Sequence, residues 1–138
     1  MRRRYHALRK AVLVAAVAGA VLWWWRRPFR VAVEGGSMEP TLLPGEFLVA
    51  VRGGGIGRGA LVVLEHPARP GFEMVKRVET LPGERVGDSI LGPDEYWVIG
   101  EALDASTDSR AFGPVSRSAI LGVVRFRYWP PSRLAAFL

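Results

Sequence analysis

Apolar and polar positions divide the chain into two unequal parts. From Ala11 to Trp25 the sequence AVLVAAVAGAVLWWW runs for 15 residues without a charge or a strongly polar group. As a helix this run covers roughly 22 Å, short of the ~30 Å hydrocarbon core of a bilayer. It nevertheless predicts a membrane segment in which Arg9, Lys10 and Arg26 snorkel to the interface, where Trp23, Trp24 and Trp25 also belong. From Val31 onward the pattern changes to short alternating runs punctuated by Gly and Pro, with no second stretch of helical period long enough for a substantial helix. Strands are expected over Phe29–Glu34, Glu46–Arg52, Ala60–Glu65, Glu73–Glu79, Glu95–Ile99 and Ala119–Tyr128. The expected fold is therefore mainly β: a basic N-terminus over 1–10, a single transmembrane helix over 11–27, and one compact β-rich domain over 28–138. About 108 residues can enclose one core but not two.

Two other readings of the apolar run compete. Ala18-Gly19-Ala20 has the small-x-small form of a signal-peptide cleavage site. The run does not turn polar after it, and cutting there leaves a Trp-rich apolar stub. A buried core helix is the second rival, and the flanking charges oppose it. Residues 1–30 hold eight cations (Arg2, Arg3, Arg4, Arg9, Lys10, Arg26, Arg27 and Arg30) and no acid. Five precede the run and three follow it, so the positive-inside rule favours a cytoplasmic N-terminus, with the domain expected on the outer side of a cell membrane.

Charge and composition narrow the function classes. The formal net charge of +6 suggests nucleic-acid binding until its distribution is read. Residues 31–138 carry 11 cations against 13 acids, a net of −2, so no basic nucleic-acid face is expected there. Zero Cys and two His leave no disulfide framework, no cysteine nucleophile and no dedicated zinc centre. With 49% hydrophobic residues the chain is too apolar for a disordered tail. The Gly-rich stretch Arg52–Gly59 lacks both a dinucleotide fingerprint and a P-loop lysine, and a strand follows it, so it reads as a flexible hairpin connection.

Three segments carry candidate chemistry. In VEGGSMEPTL (Val33–Leu42), Ser37 follows two glycines, which allow close backbone approach and unusual dihedrals beside a nucleophile; an ordinary Gly-Gly-Ser turn has the same look. The cations are 17 Arg and only two Lys, Lys10 and Lys76. Arg keeps its proton, whereas a desolvated Lys can serve as a base. A strand period of two places Lys76 on one face with Met74 and Val78, and Arg77 on the other with Glu73, Val75 and Glu79. That pattern suits a neutral Lys76 and a charged Arg77. In Gly100–Pro114 (GEALDASTDSRAFGP), an Asp108–Arg110 pair can brace a loop and a serine hydroxyl can orient a lysine amine. His66 precedes Pro67 in a loop, and a Ser–His arrangement ranks below Ser–Lys.

Together these segments resemble the bacterial type I signal peptidases, membrane-anchored serine proteases with a Ser–Lys dyad. RGALVVL (Arg58–Leu64) and FRYWP (Phe126–Pro130) are similar to further segments of that family. The resemblance implies Ser37 as nucleophile with its own backbone N–H in the oxyanion hole, Lys76 as general base and Ser106 as the residue that orients the lysine. Asp108, Arg110 and Arg77 are then structural residues near the site. It also implies that a signal peptide of an exported preprotein binds as an added strand near Val31, Val33, Gly35, Met74 and Val75, with small P1 and P3 side chains, hence Ala-x-Ala. Expected partners are those preproteins and the lipid bilayer, near the secretion machinery and without nucleic acid; no metal or cofactor is implied.

Two departures stand out. Where the family's last segment usually opens Gly-Asp-Asn, this chain has Gly100-Glu101-Ala102. Where some members place a hydroxyl residue two positions before the nucleophile, it has Gly35. The short spacing from Lys76 to Gly100 leaves no room for an inserted β domain, so the protein looks like a minimal version. Rival expectations are a narrow-client processing peptidase of the conjugation type and a catalytically silent membrane-tethered β scaffold, the latter resting on Glu101-Ala102.

Overall fold

The computed structural model describes the backbone of residues 2–138 and the side chains of all but residues 2–7, 25 and 105. The expected charge of Arg2, Arg3 and Arg4 and the interfacial placing of Trp25 thus concern side chains outside the described residues. Helix α1 (Arg2–Trp25) is continuous through the basic segment and the apolar run. Ala and Leu favour it, and it ends just before Pro28, whose ring disfavours helical geometry in the residue ahead. Every described side chain from Leu8 to Trp24 is exposed. Among the described residues no helix is long and apolar enough to cross a membrane.

The rest is a mainly antiparallel β domain. Its strands are β1 (Pro28–Ala32), β2 (Phe47–Val51), β3 (Leu61–His66), β4 (Arg69–Thr80), β5 (Arg85–Val86), β6 (Ser89–Ile90), β7 (Glu95–Ile99), β8 (Val115–Ser116), β9 (Ile120–Trp129) and β10 (Ala135–Ala136), with a one-turn helix α2 (Ser109–Phe112) between β7 and β8. The main sheet runs in the order β1-β2-β9-β3-β4-β7-β8, β10 also pairs with β9, and β5 and β6 form a separate hairpin. The six expected strands are all present. The four two-residue strands are too short to show alternation in sequence.

Two expectations are corrected. Arg52–Gly59 is not a hairpin connection, because β9 lies between β2 and β3 and pairs with both. The loop crosses over β9, helped by positive φ at Gly53, Gly54 and Gly59. Pro67–Gly71, expected as a loop, lies partly within β4, which starts at Arg69. A register irregularity between Glu65 and His66 accommodates Pro70, which has no N–H to give the ladder.

Both faces of the sheet are covered. Alternation along β3 sends Leu61 and Val63 to a cluster with Val31, Met38, Leu42, Leu48 and Val75. Val62 and Leu64 go to a second cluster with Val78, Val98, Val115 and Val123. Although β1 and β4 are separated by three strands in the sheet, they line one cleft, so the sheet curls until its β1 edge faces the free edge of the first half of β4. From Arg77 to Thr80 that edge of β4 is taken by β7.

Candidate active site

The cleft between β1 and β4 has a volume of about 550 Å³ and brings together Ser37 and Lys76 with Val31, Val33, Gly35, Met74 and Val75. Ser37 sits on the turn that leaves β1. The chain before it is pinned by Val33 N–H donating to Glu46 O at 2.8 Å and by Gly45 N–H donating to Val33 O at 2.9 Å. Gly35 takes φ +74°, which this turn needs, whereas a Cβ on Gly36 would meet only the movable carboxylate end of Glu39. After Ser37, Met38 and Leu42 plunge into the core. They fasten a half-buried serine to a rigid floor.

Lys76 lies in β4 opposite Val62 and is 3% exposed. Its Nζ donates to Ser106 Oγ at 3.1 Å, and Ser106 Oγ donates to Asp108 Oδ2 at 2.8 Å. Asp108 is buried and also accepts from Gly100 N–H at 2.8 Å, Arg110 N–H at 3.1 Å and Arg110 Nε at 2.9 Å. Burial pushes its pKa up, but these hydrogen bonds, the Arg110 side chain foremost, more than offset that and hold the carboxyl below its ordinary range. Burial lowers the pKa of Lys76; the Asp108 charge opposes this and the Arg110 charge adds to it.

These ionisation directions set the hydrogen-bond polarity. An ionised Asp108 only accepts, so the Ser106 hydroxyl proton points to it and the Ser106 oxygen receives an N–H from Lys76. A neutral amine held this way keeps its lone pair free for a proton from another direction. Ser37 lines the same cleft, and among the described residues it makes no direct hydrogen bond to Lys76; the structure shows the lysine engaged with Ser106.

Arg77 points to the opposite face, as the strand period requires, but its partner is not Glu73 or Glu79. Its Nε donates to Glu101 Oε1 at 2.8 Å, Nη2 pairs with the same oxygen, and Nη1 donates to Gly59 O at 2.7 Å. Next to Glu101, the Ala102 N–H donates to Ser37 O at 3.1 Å. On its other side, a Cβ on Gly100 would lie 1.9 Å from Ser106 Oγ and 2.8 Å from Ser37 O. The Gly100-Glu101-Ala102 departure thus keeps an acid for Arg77 and a backbone donor for the Ser37 carbonyl. His66 stands apart: its Nδ1 accepts from Ala68 N–H at 3.0 Å and its ring meets the edges of Phe72 and Phe112.

Sequence reasoning missed Gly100 and the Ala102 N–H, because a close approach and a backbone donor leave no mark on residue type. It also missed Glu46, 2% exposed, and Arg127, 8% exposed, which pair at 3.1 Å behind the Ser37 turn. Strand β9 carries two cations, Arg125 and Arg127, and nothing in their residue type tells the exposed one from the buried one. Among the described residues no group of three His, Cys, Asp or Glu side chains stands together as metal ligands would.

Comparison with known proteins adds to this geometry. The family model described as signal peptidase, peptidase S26, matches residues 4–89 and 87–129. The chain is 42% identical over 116 residues to mitochondrial ATP-independent inner membrane protease subunit 1a of Arabidopsis thaliana, covering 72% of this chain and 69% of that protein. It is 32% identical over 116 residues to human mitochondrial inner membrane protease subunit 1, covering 74% and 70% respectively. With signal peptidase IB of Staphylococcus aureus it shares 29% identity over 147 residues, covering 71% of this chain and 76% of that protein.

Proposed function

The chain belongs to the peptidase S26 signal peptidase family, and on that premise we propose that it is a membrane-bound serine endopeptidase that removes signal peptides from exported preproteins by a Ser37–Lys76 dyad. The observation that carries this reading is the buried Lys76 amine, depressed in pKa and held by Ser106 within the cleft it shares with Ser37. In the reaction Ser37 Oγ attacks the scissile carbonyl while its proton passes to Lys76, and the oxyanion is met by the Ser37 backbone N–H. Lys76 then delivers the proton to the leaving amine, and water, activated by the same amine, hydrolyses the ester. Ser106 orients the amine, Asp108 and Arg110 hold Ser106, and Arg77 braces the neighbouring loop through Glu101.

The substrate enters as an extended segment between the two free strand edges, with Val31, Val33, Gly35, Met74 and Val75 against its small P1 and P3 side chains. The anchor is α1, single-pass in the cell membrane with the domain on the extracytoplasmic side. Its exposed apolar wall, from Leu8 to Trp24, supports a lipid environment. Phe47, Phe126 and Trp129, exposed on β2 and β9, lie close to the strand that continues from α1 and suit an interface.

The test is incubation of the detergent-solubilised protein with a preprotein carrying an Ala-x-Ala site, followed by sequencing of the product N-termini. Cleavage directly after the motif is expected, and an intact preprotein would sink the reading. A second reading, a processing peptidase with a narrow client, is favoured by the identity to inner membrane protease subunits. A panel of unrelated preproteins separates the two, since a general peptidase cuts most of them. The silent-scaffold reading loses its main support, because Glu101 and Ala102 both make contacts that hold the site together.

A further inference from the structure

A buried carboxylate with no part in the dyad lies directly behind the nucleophile. Glu46 is 2% exposed and stands at the mouth of β2, outside the cleft. It grips both arms of the turn that carries Ser37. On the near arm its backbone carbonyl accepts from Val33 N–H at 2.8 Å. On the far arm its Oε2 accepts from Leu43 N–H at 3.0 Å and from Arg127 Nη1 at 3.1 Å. The same Arg127 Nη1 donates to Thr41 O at 2.7 Å, so the carboxylate and its cation hold a donor and an acceptor of one short segment.

A second arginine completes the grip. Arg133 Nε lies 2.6 Å from Glu46 Oε1 as an ion pair whose N–H is not aligned on the oxygen, and both atoms are buried. Its Nη2 reaches Pro40 O and Thr41 O at 3.4 Å, and its carbonyl accepts from Arg127 Nε. These partners come from positions more than 80 residues away in sequence. Between Val33 and Leu43 the chain has no strand ladder of its own, only turn bonds such as Glu39 N–H to Gly36 O and Leu42 N–H to Met38 O. Its shape therefore depends on what it is tied to.

We propose that Glu46, held by Arg127 and Arg133, is a positioning residue for Ser37: the buried ionic cluster at the end of the sheet where β2 begins and β9 ends sets where the nucleophile turn presents its hydroxyl to the cleft. The proposal rests on the Ser37–Lys76 reading above. Its chemical basis is that neutral apolar packing can fill the same space but cannot bind Thr41 O and Leu43 N–H in fixed directions. An error of an ångström in the attacking atom is enough to slow a reaction strongly without altering the surface that binds substrate.

The experiment measures kcat, KM, Tm and hydrogen exchange for the full-length detergent-solubilised protein with an Ala-x-Ala peptide. Glu46→Gln is expected to lower kcat about ten-fold or more while KM stays within about two-fold and the pH profile keeps its midpoint, because the Lys76 surroundings are untouched. A triple replacement, Glu46→Met with Arg127→Met and Arg133→Met, which leaves no cation of the cluster unpaired, should recover Tm relative to the single variants and leave kcat low. Wild-type kcat in a variant of lowered Tm would overturn the proposal, since the cluster would then only stabilise the fold. Should the core variants not fold, Arg133→Ala, at the more exposed rim of the cluster, decides on the same criteria. Exchange over residues 33–43 gives a readout independent of cleavage. Faster exchange confined to that segment supports the positioning role; unchanged or uniformly faster exchange refutes it. An enzyme reading that fails altogether shows instead as an inactive wild type.

Discussion

At the scale of single residues, the site turns on one amine kept out of water. Ser37→Ala and Lys76→Arg should each abolish cleavage with Tm within a few degrees of wild type for Ser37→Ala; Arg keeps the charge but cannot act as a base. His66→Ala should keep at least about half the activity, since that imidazole serves its own turn. Residual activity near wild type in Lys76→Arg would discard the dyad. The pH dependence follows from burial. The folded pKa of Lys76 lies below the ordinary 10.5, so kcat/KM should rise with pH through an apparent pKa below that value and then level off. For stability the sign is opposite to that of a salt-bridged lysine. Protonation favours the unfolded chain, so the penalty is complete below the folded pKa and fades as pH rises from there to 10.5. Lys76→Met should accordingly gain in Tm over wild type at pH 7 and lose that advantage toward pH 10.5, as calorimetry across pH can check. The strand period placed Lys76 on a face with Met74 and Val78, which fits its burial but equally fits a lysine snorkelling from the surface. The contact of its amine with Ser106, 30 positions away, was expected only through the family resemblance, because no periodicity relates a strand to a loop.

At the scale of elements, two glycines with similar crowding should behave differently because of where their elements stand. Gly100 follows β7, where a Cβ would meet both Ser106 and Ser37; Gly100→Ala should reduce kcat at least about a hundred-fold, since that Cβ must displace the Ser106 hydroxyl and the Ser37 carbonyl together. Gly122 lies in the central strand β9, where a Cβ would meet Phe29 Cε1 at 2.6 Å and Val51 O at 2.8 Å. Gly122→Ala should cost about 1–3 kcal/mol of stability and leave kcat near wild type, which denaturant titration beside steady-state assays will separate. The strands themselves were readable because each alternates apolar and polar positions or runs apolar through the sheet centre, as β3 does. Their neighbours were not. Insertion of β9 between β2 and β3 pairs residues 56 to 82 positions apart, and the Gly-rich loop that permits this looks the same in sequence as a hairpin turn.

For the whole molecule, the N-terminal helix and the β domain are physically separate problems. The described side chains of α1 from Leu8 to Trp24 are exposed, while the apolar clusters of the domain are complete without them. Deletion of residues 1–26 should therefore leave the domain's Tm within about 3 °C and its cleavage of a short Ala-x-Ala peptide intact, while removing its dependence on detergent for solubility. A domain that unfolds on loss of the helix would show that α1 packs against it.

Some properties of this protein are local and so were set by the order of residues alone. The uncharged apolar run marks a helix, the alternating runs mark a β domain, and the scarcity of lysine singles out Lys76. Each of these is a matter of spacing within a few residues, which covalent geometry converts directly into faces and lengths. Only the tertiary structure decided that the sheet curls until β1 faces β4, that Glu101 rather than Glu73 or Glu79 takes Arg77, and that Glu46 meets Arg127 behind the Ser37 turn. Those outcomes depend on contacts between distant segments. They are chosen by the collective burial of Val, Leu and Met side chains on both sheet faces, a balance to which every strand contributes and which no single stretch of sequence expresses.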